Sequence, residues 1–174
     1  MAESLECASE SLFRMAVRNG DVARAERIIK RTHIDLEKLD GGRTYLATSI
    51  VNRDIAMTRF LLSNGADKDA ERSLPPLMYA VFEADIPSIN LLVSSGANVN
   101  AVCSWGETAL SIAILFENVK VISILLESGA DPEAECKYKD KVKRWLSENA
   151  KLYPEVNDAY LRQRARKLNL RIVK

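Results

Sequence analysis

The sequence predicts an all-α solenoid in which short helix-turn-helix units stack on one another, with β-turn or hairpin projections between them. The motif L-[LV]-x-x-G-A recurs with its glycine at Gly65, Gly96 and Gly129, which lie 31 and then 33 residues apart. A leucine stands 19 residues before each glycine, beginning with Leu46, and apolar residues at helical spacing fill the interval. A fixed period of this length is typical of stacked repeats, because a single unit cannot bury its own apolar face.

Local signals place the elements of each unit. Thr44 and Thr108 stand directly before an apolar run, where a hydroxyl group can cap a first helix. Pro75 and Pro76 fit the first turn of the equivalent helix in the next unit, where a missing N–H is tolerated. The glycines follow the second helix, where glycine most readily takes the left-handed conformation that ends a helix. Small residues fill one equivalent position at which helices must approach closely: Ala16, Ser49, Ala80 and Ala113.

The segments around the leucines read RTYLATS at 43–49, LPPLMYA at 74–80 and ETALSIA at 107–113. Together with the Gly-Ala motif they resemble the ankyrin repeat, whose unit reads G-x-T-P-L-H-x-A, a turn, and then V-x-x-L-L-x-x-G-A-D-x-N-A. The resemblance covers roughly residues 10 to 134, and its specificity is high because several landmarks recur together.

The resemblance implies a division of the chain, and projecting one period back from Leu46 reaches a degenerate first copy at Phe13. In the basic last segment Val142, Trp145 and Leu146 are expected to face inward from a first helix. A second helix from about 155 to 167 is expected to bury the stripe Val156, Ala159, Tyr160 and Leu168. The predicted segments are a lead-in at 1–9, a degenerate N-terminal capping repeat at 10–37, a second repeat at 38–70, a third with a shortened hairpin at 71–101, a fourth at 102–134, and a basic degenerate capping repeat with a tail at 135–174.

Composition limits the class of protein. The chain has 174 residues, of which 47% are hydrophobic and 28% charged, as in ordinary soluble proteins. It has no apolar run long enough for a membrane span, so no membrane partner is expected, and its acidic start lacks the pattern of a secretory signal. The three cysteines Cys7, Cys103 and Cys136 predict neither a disulfide framework nor a zinc site beside a single histidine. We expect a cytoplasmic location, with the nucleus as an open alternative.

The net charge of +1 hides a division between the two ends. Residues 137–174 carry 12 basic and 4 acidic side chains, so this segment has a charge of +8 and the rest of the chain −7. The segment can bind nucleic acid or an acidic surface, or it can be the solvated face of a capping helix, and both interpretations stay open. The candidate basic patch consists of Lys141, Arg144, Arg162, Arg164, Arg166 and Lys167.

The resemblance also implies where a partner binds, since ankyrin repeats grip partners with hairpin tips and first helices on the concave side. Large apolar side chains at such positions, namely Phe82, Leu115 and Phe116 on first helices and Trp105 near a tip, predict an interface because exposed apolar clusters mark binding sites. The alternative is that they fold back onto neighbouring units. The candidate partner-binding residues are Arg43, Asn52, Arg72, Phe82, Glu83, Trp105, Glu107, Leu115 and Phe116.

No catalytic, cofactor-binding or metal-binding constellation is recognisable. His33 has no nucleophile or carboxylate beside it at a familiar spacing, and no glycine-rich phosphate loop is present. Asn100 resembles the asparagine that is hydroxylated in some ankyrin repeats, with a turn-bridging asparagine as the alternative. The leading hypothesis is a monomeric, non-enzymatic protein-protein interaction module, acting as an adaptor or inhibitor. The second hypothesis is a nucleic-acid or acidic-surface binder that uses the basic C-terminal helices.

Overall fold

The computed structural model describes residues 2–70, 74–149 and 151–172, with side chains described between residues 8 and 166 outside the gaps. Within these ranges the chain forms ten α-helices and only isolated β-bridges, so the predicted all-α fold is confirmed. The helices are α1 (Ala2–Arg18), α2 (Val22–Ile29), α3 (Tyr45–Val51), α4 (Ile55–Ser63), α5 (Pro76–Phe82), α6 (Ile86–Ser94), α7 (Ala109–Leu115), α8 (Val119–Glu127), α9 (Lys139–Asn149) and α10 (Pro154–Ile172).

The chain divides into two compact units, Met1–Gly96 and Ala97–Lys174. In the first unit α1 packs on α2, α3 on α4 and α5 on α6, and each pair packs on the next. The ring of Tyr45 meets that of Phe13 edge to face, with centroids 5.1 Å apart, so the second pair contacts the first through an aromatic pair. The small residues Ala16, Ser49 and Ala80 are fully buried, as close helix approach requires.

The predicted helix ends are present. The Thr44 hydroxyl accepts the backbone N–H of Ala47 at 3.2 Å. Thr108 and Ser111 close a reciprocal capping box, with Ser111 N–H to Thr108 Oγ1 at 3.1 Å and Thr108 N–H to Ser111 Oγ at 2.9 Å. Pro76 is the first residue of α5. The three Gly-Ala glycines have φ values of 80° to 99°, in the left-handed region that favours glycine.

The turn inside each helix pair repeats one backbone conformation that the sequence pattern does not reveal. Gly20, Arg53, Ala84 and Glu117 stand at equivalent positions, with φ values of 69°, 55°, 50° and 52°. A left-handed conformation costs a residue with a Cβ about 1–2 kcal/mol. Three of these four turns therefore carry local strain, and only the first copy has the glycine that would relieve it.

A capping side chain follows these turns. The side chains of Asp21, Asp54 and Asn118 accept the N–H of the third residue of α2, α4 and α8 at 2.9, 3.0 and 3.2 Å. Each bond satisfies one of the N–H groups that a helix leaves unpaired at its start. The second helix of these pairs therefore begins at a defined residue, including in the pairs whose turn is strained.

Short projections precede the first helices. Asp40 and Arg43 exchange backbone hydrogen bonds at 2.8 and 3.2 Å, and Val102 forms an isolated antiparallel bridge with Thr108. The tip at Asp40 is fixed further by Arg18, whose Nε donates to Asp40 Oδ2 at 2.8 Å and whose Nη2 donates to Oδ1 at 2.9 Å. The predicted turn or hairpin projections are thus present in both units.

In the second unit α7 packs on α8 and α9, and α10 packs on α8 and α9. Val142, Leu146, Val156 and Ala159 are buried, as the apolar stripes predict. Trp145 departs from the prediction, because it is only half-buried. It stacks its ring on that of Tyr153, with centroids 6.0 Å apart and an interplanar angle of 5°.

Two helix limits differ from the expected segments. The residues assigned to a lead-in at 1–9 belong to α1 from Ala2 onward. The last helix begins at Pro154 and extends to Ile172, beyond the expected end at 167. Tyr160 is half-buried, and the side chain of Leu168 lies outside the described residues. The repeat boundaries themselves stay predictions.

Candidate protein-interaction surfaces

The hairpin that precedes α7 holds Trp105 at its tip. Cys103 N–H donates to Glu107 O at 2.9 Å, and Gly106 N–H donates to Cys103 O at 2.9 Å. The carbonyl of Gly106 in turn accepts the backbone N–H of Lys137 at 2.7 Å, which ties this hairpin to the turn before α9. These bonds fix the backbone on both sides of Trp105, so its indole is presented by an ordered loop.

Large apolar side chains are exposed in this unit. Trp105 is 57% exposed, and Val102 in the same hairpin is also exposed. Phe116, the C-cap residue of α7, is 63% exposed, while Leu115 and the Glu107 side chain are half-buried. Trp105 is therefore largely open to solvent, as the interface hypothesis requires, and the interface itself stays a prediction.

The spacing between the two aromatic residues follows from the helix between them. Trp105 precedes α7 and Phe116 follows it, and a helix of seven residues rises about 10 Å. The two side chains therefore mark opposite ends of one first helix.

In the first unit one candidate is apolar and the others are polar. Phe82, at the end of α5, is 39% exposed. The polar candidates make contacts within the unit. The side chain of Asn52 donates to the Arg18 carbonyl at 3.4 Å, and the guanidinium of Arg43 lies 5.8 Å from the centre of the Tyr79 ring.

Glu83 contacts the strained turn of the preceding pair. The Arg53 guanidinium donates to the Glu83 carbonyl and lies 3.7 Å from its Oε2 atom. This contact links two successive turns of the first unit. Arg72 lies within 71–73, outside the described residues.

Most of the arginines of the basic patch contact other residues of the second unit. Arg162 lies 3.8 Å from the Glu127 carboxylate, and Arg166 Nη1 donates to the Glu127 carbonyl at 3.1 Å. Arg164 lies over the ring of Tyr160 at 5.8 Å. Cations near the last carbonyls of a helix are stabilising, so this part of the patch closes the C-terminal end of α8.

The remaining basic residues stay on the surface. Lys141 and Arg144 are exposed on α9, and the side chain of Lys167 lies outside the described residues. One residue of the helix end escaped the sequence reasoning: Gln163 is buried, and its Nε2 donates to the Gly129 carbonyl at 3.0 Å. Gln163 follows Val156 by seven residues and Ala159 by four. Helical spacing therefore places it on the same buried stripe, which is the sequence feature that predicts its burial.

Residues 70–136 match the family profile of ankyrin repeats, in three copies. Residues 70–136 carry ankyrin repeats. Over 114 residues it is 34% identical to an ankyrin repeat protein of Fowlpox virus (strain NVSL), and over 110 residues it is 29% identical to one of Acanthamoeba polyphaga mimivirus. These matches cover 65% and 62% of the chain, which spans only 19% and 14% of the length of the two relatives.

The ankyrin assignment explains a substitution in the fourth repeat. Ser111 stands where the family motif has a histidine, and its hydroxyl accepts from Thr108 N–H and donates to Thr108 O at 2.9 Å. It therefore stabilises the start of its own helix. At the equivalent positions of the two preceding repeats Ala47 and Met78 are buried apolar side chains.

Ankyrin repeats generally mediate protein-protein interactions, so a binding site is expected on the surface of the repeats. Within the described helices none is both long and apolar enough to cross a bilayer. In the same part of the chain His, Cys, Asp and Glu side chains do not gather in threes as a metal site would require.

Proposed function

We propose that the chain is a non-enzymatic protein-binding module that captures an apolar segment of a partner with the exposed residues at the two ends of its fourth-repeat first helix. The observation that supports this proposal is the exposure of Trp105 and Phe116, at 57% and 63%. Both flank a helix whose own residues are almost all buried. Aromatic residues held on rigid elements are the usual anchors of protein interfaces, since they bury much area at little entropic cost.

Phe82 at the end of α5 is a second anchor candidate of the same type, in the first unit. Whether the module acts as an adaptor or as an inhibitor depends on what the partner's bound segment does. An inhibitor abolishes the partner's activity on binding, whereas an adaptor leaves it intact, so an activity assay on the captured partner separates the two.

The nucleic-acid alternative receives less support from the structure. Arg162, Arg164 and Arg166 contact Glu127 and Tyr160, so these exposed guanidinium groups also have partners within the chain. Nucleic-acid affinity falls steeply with salt, because bound phosphates release counterions. Binding to duplex DNA that weakens steeply as the salt concentration is raised, and that depends on Lys141 and Arg144, would favour this alternative.

The test is affinity capture with immobilised wild type and two matched variants. Trp105→Ala/Phe116→Ala removes the proposed anchors. Leu152→Ala/Leu161→Ala removes two exposed apolar side chains elsewhere in the same unit. Partners are identified by quantitative mass spectrometry and their affinities are measured with purified proteins.

The anchor variant is expected to lose about 30-fold or more in affinity, which corresponds to about 2 kcal/mol. The Leu152/Leu161 variant is expected to bind as wild type does. Equal capture by wild type and the Trp105/Phe116 variant would contradict the proposal.

A further inference from the structure

We propose that the outer end of the first helix pair is a docking surface for an acidic amphipathic helix of a partner protein. Its residues are Leu12, Arg24, Arg27, Ile28 and Arg31, which we call the α1/α2 cleft. The inference is independent of the proposed function, because it uses neither Trp105 nor Phe116.

The repeat itself shows that this face is built to be covered. In the second copy the positions equivalent to Leu12, Arg24 and Ile28 are Tyr45, Met57 and Leu61. All three of these residues are buried, and the Tyr45 ring packs on the preceding pair. In the first copy Leu12 is instead 40% exposed, and Arg24 and Ile28 are half-buried. The first pair therefore presents to solvent a face that a neighbouring helix pair covers in the next repeat.

The cleft between α1 and α2 has a volume of about 520 Å³. Leu12 and Ile28 form its aliphatic floor. Arg24 and Arg27 line its rim from one face of α2, at i and i+3, and Arg31 lines it from the turn that follows this helix. An apolar floor with a basic rim is the complement of a helix that has aliphatic residues on one side and carboxylates beside them.

The three guanidinium groups are available for such a partner. No carboxylate among the described side chains lies within ion-pair distance of Arg24, Arg27 or Arg31. Asp21 also lines the cleft, but its side chain accepts the Arg24 backbone N–H and so caps α2. Arg27 Nε donates to the Ala23 carbonyl, which leaves its Nη groups for a ligand.

Two other occupants fit less well. Single-stranded nucleic acid is bound by basic grooves that also carry aromatic side chains on which bases stack, and the cleft has none. A second copy of this chain that docked through its basic last segment would set Lys141 and Arg144 against the arginine rim, since residues 137–174 carry a charge of +8. Like charges across an interface oppose that association.

The probe is a fluorescein-labelled helical peptide of about 18 residues, built of leucine, alanine and glutamate, with a matched peptide in which lysine replaces glutamate. Fluorescence anisotropy with the whole chain measures binding at low and at raised salt. The glutamate peptide is expected to bind saturably and to weaken as salt screens its carboxylates, and the lysine peptide is expected not to compete.

Charge reversal locates the site. Arg27→Glu/Arg31→Glu is expected to lower the affinity about tenfold or more. Arg59→Glu/Lys120→Glu makes the same change of charge at exposed positions of α4 and α8 and is expected to stay within about twofold of wild type. Circular dichroism confirms that each variant is folded. The Trp105→Ala/Phe116→Ala variant is expected to bind the glutamate peptide with wild-type affinity. The test of the cleft therefore keeps its meaning even if the proposed function is wrong.

Three outcomes would overturn the docking surface. The first is absence of binding by the glutamate peptide at concentrations of about 100 μM, and the second is equal binding by the lysine peptide. The third is an affinity that Arg27→Glu/Arg31→Glu leaves unchanged. If a labelled single-stranded DNA bound the cleft more tightly than the peptide and lost affinity in the same variant, the surface would be a nucleic-acid site instead.

Discussion

Asn100 and Gln163 donate hydrogen bonds to one carbonyl oxygen. Asn100 Nδ2 lies 3.2 Å and Gln163 Nε2 lies 3.0 Å from the oxygen of Gly129. The Oδ1 atom of Asn100 also accepts the N–H of Asp131 at 2.7 Å. The turn after α8 is therefore held from the preceding turn by Asn100 and from α10 by Gln163, which supports the turn-bridging interpretation of Asn100.

Asn100→Ala is expected to lower the free energy of unfolding by about 1–2 kcal/mol, because it removes two side-chain hydrogen bonds to backbone groups. Urea denaturation followed by circular dichroism measures the loss. Asn90→Ala, at an exposed position of α6, is the matched control and should change stability by less than about 0.5 kcal/mol. A small effect of Asn100→Ala would mean that water replaces the bridge at little cost.

A double-mutant cycle tests whether the two donors share the Gly129 carbonyl. In Asn100→Ala or Gln163→Ala alone the oxygen keeps one protein donor, whereas in the double variant it keeps neither. The double variant is therefore expected to lose more stability than the two single variants together, by about 0.5–1 kcal/mol. Additive losses in urea denaturation would show that the two bonds act independently.

Replacing strained turn residues with glycine is expected to stabilise the chain. Ala84→Gly and Glu117→Gly each relieve a left-handed conformation, at φ of 50° and 52°. Glycine recovers about 1–2 kcal/mol of strain and loses about 0.5–1 kcal/mol through its freer unfolded chain. We expect a net gain of about 0.5–1 kcal/mol for each, read as a higher melting temperature.

The reverse change at the equivalent position of the first copy is the control for this prediction. A Cβ atom on Gly20 would lie 2.6 Å from Asp54 Oδ2, and the other carboxylate oxygen of Asp54 caps α4 through the N–H of Met57. Gly20→Ala should therefore lower stability by about 1–2 kcal/mol, from backbone strain and a disturbed cap. If all three variants moved stability in one direction, the strain argument would be wrong.

Tyr45 is expected to make the first unit sensitive to alkaline pH. Burial raises the pKa of Tyr45 above its ordinary value of 10, and the carboxylates of Glu10 and Asp40 act in the same direction. The folded chain therefore keeps this proton at a pH where the unfolded chain releases it. The stability contribution is complete below about pH 10 and is lost as the pH rises further.

Melting temperatures of wild type and Tyr45→Phe between about pH 8 and pH 11 test this expectation, since phenylalanine keeps the ring contact with Phe13 and removes the titrating group. The two curves should run parallel below pH 10 and the wild-type curve should fall more steeply above it. Parallel curves over the whole range would exclude a role for Tyr45.

Much of the fold could be predicted from the sequence because its causes are local and recur. The caps at Thr44 and Thr108 need only a hydroxyl before an apolar run, and the glycine at Gly129 needs only a helix end. The buried side chains Val142 and Val156 follow from helical spacing. The left-handed turn at Glu117 could not be predicted, because glutamate gives no sign of the conformation that its neighbours impose on it.

The candidate sites divide in the same way. The sequence by itself determined that the chain repeats and where its helices begin. It also determined that Trp105 and Phe116 stand at positions that packing between the repeats does not require. Only the tertiary structure decided that both side chains are exposed, that Arg166 closes the end of α8, and that Leu12 and Ile28 line an open cleft. The exposure of a side chain and its hydrogen-bond partners depend on which distant residues the fold brings together. Gln163 and Gly129, for example, are 34 residues apart in the sequence, and the periodicity of the sequence does not predict such contacts.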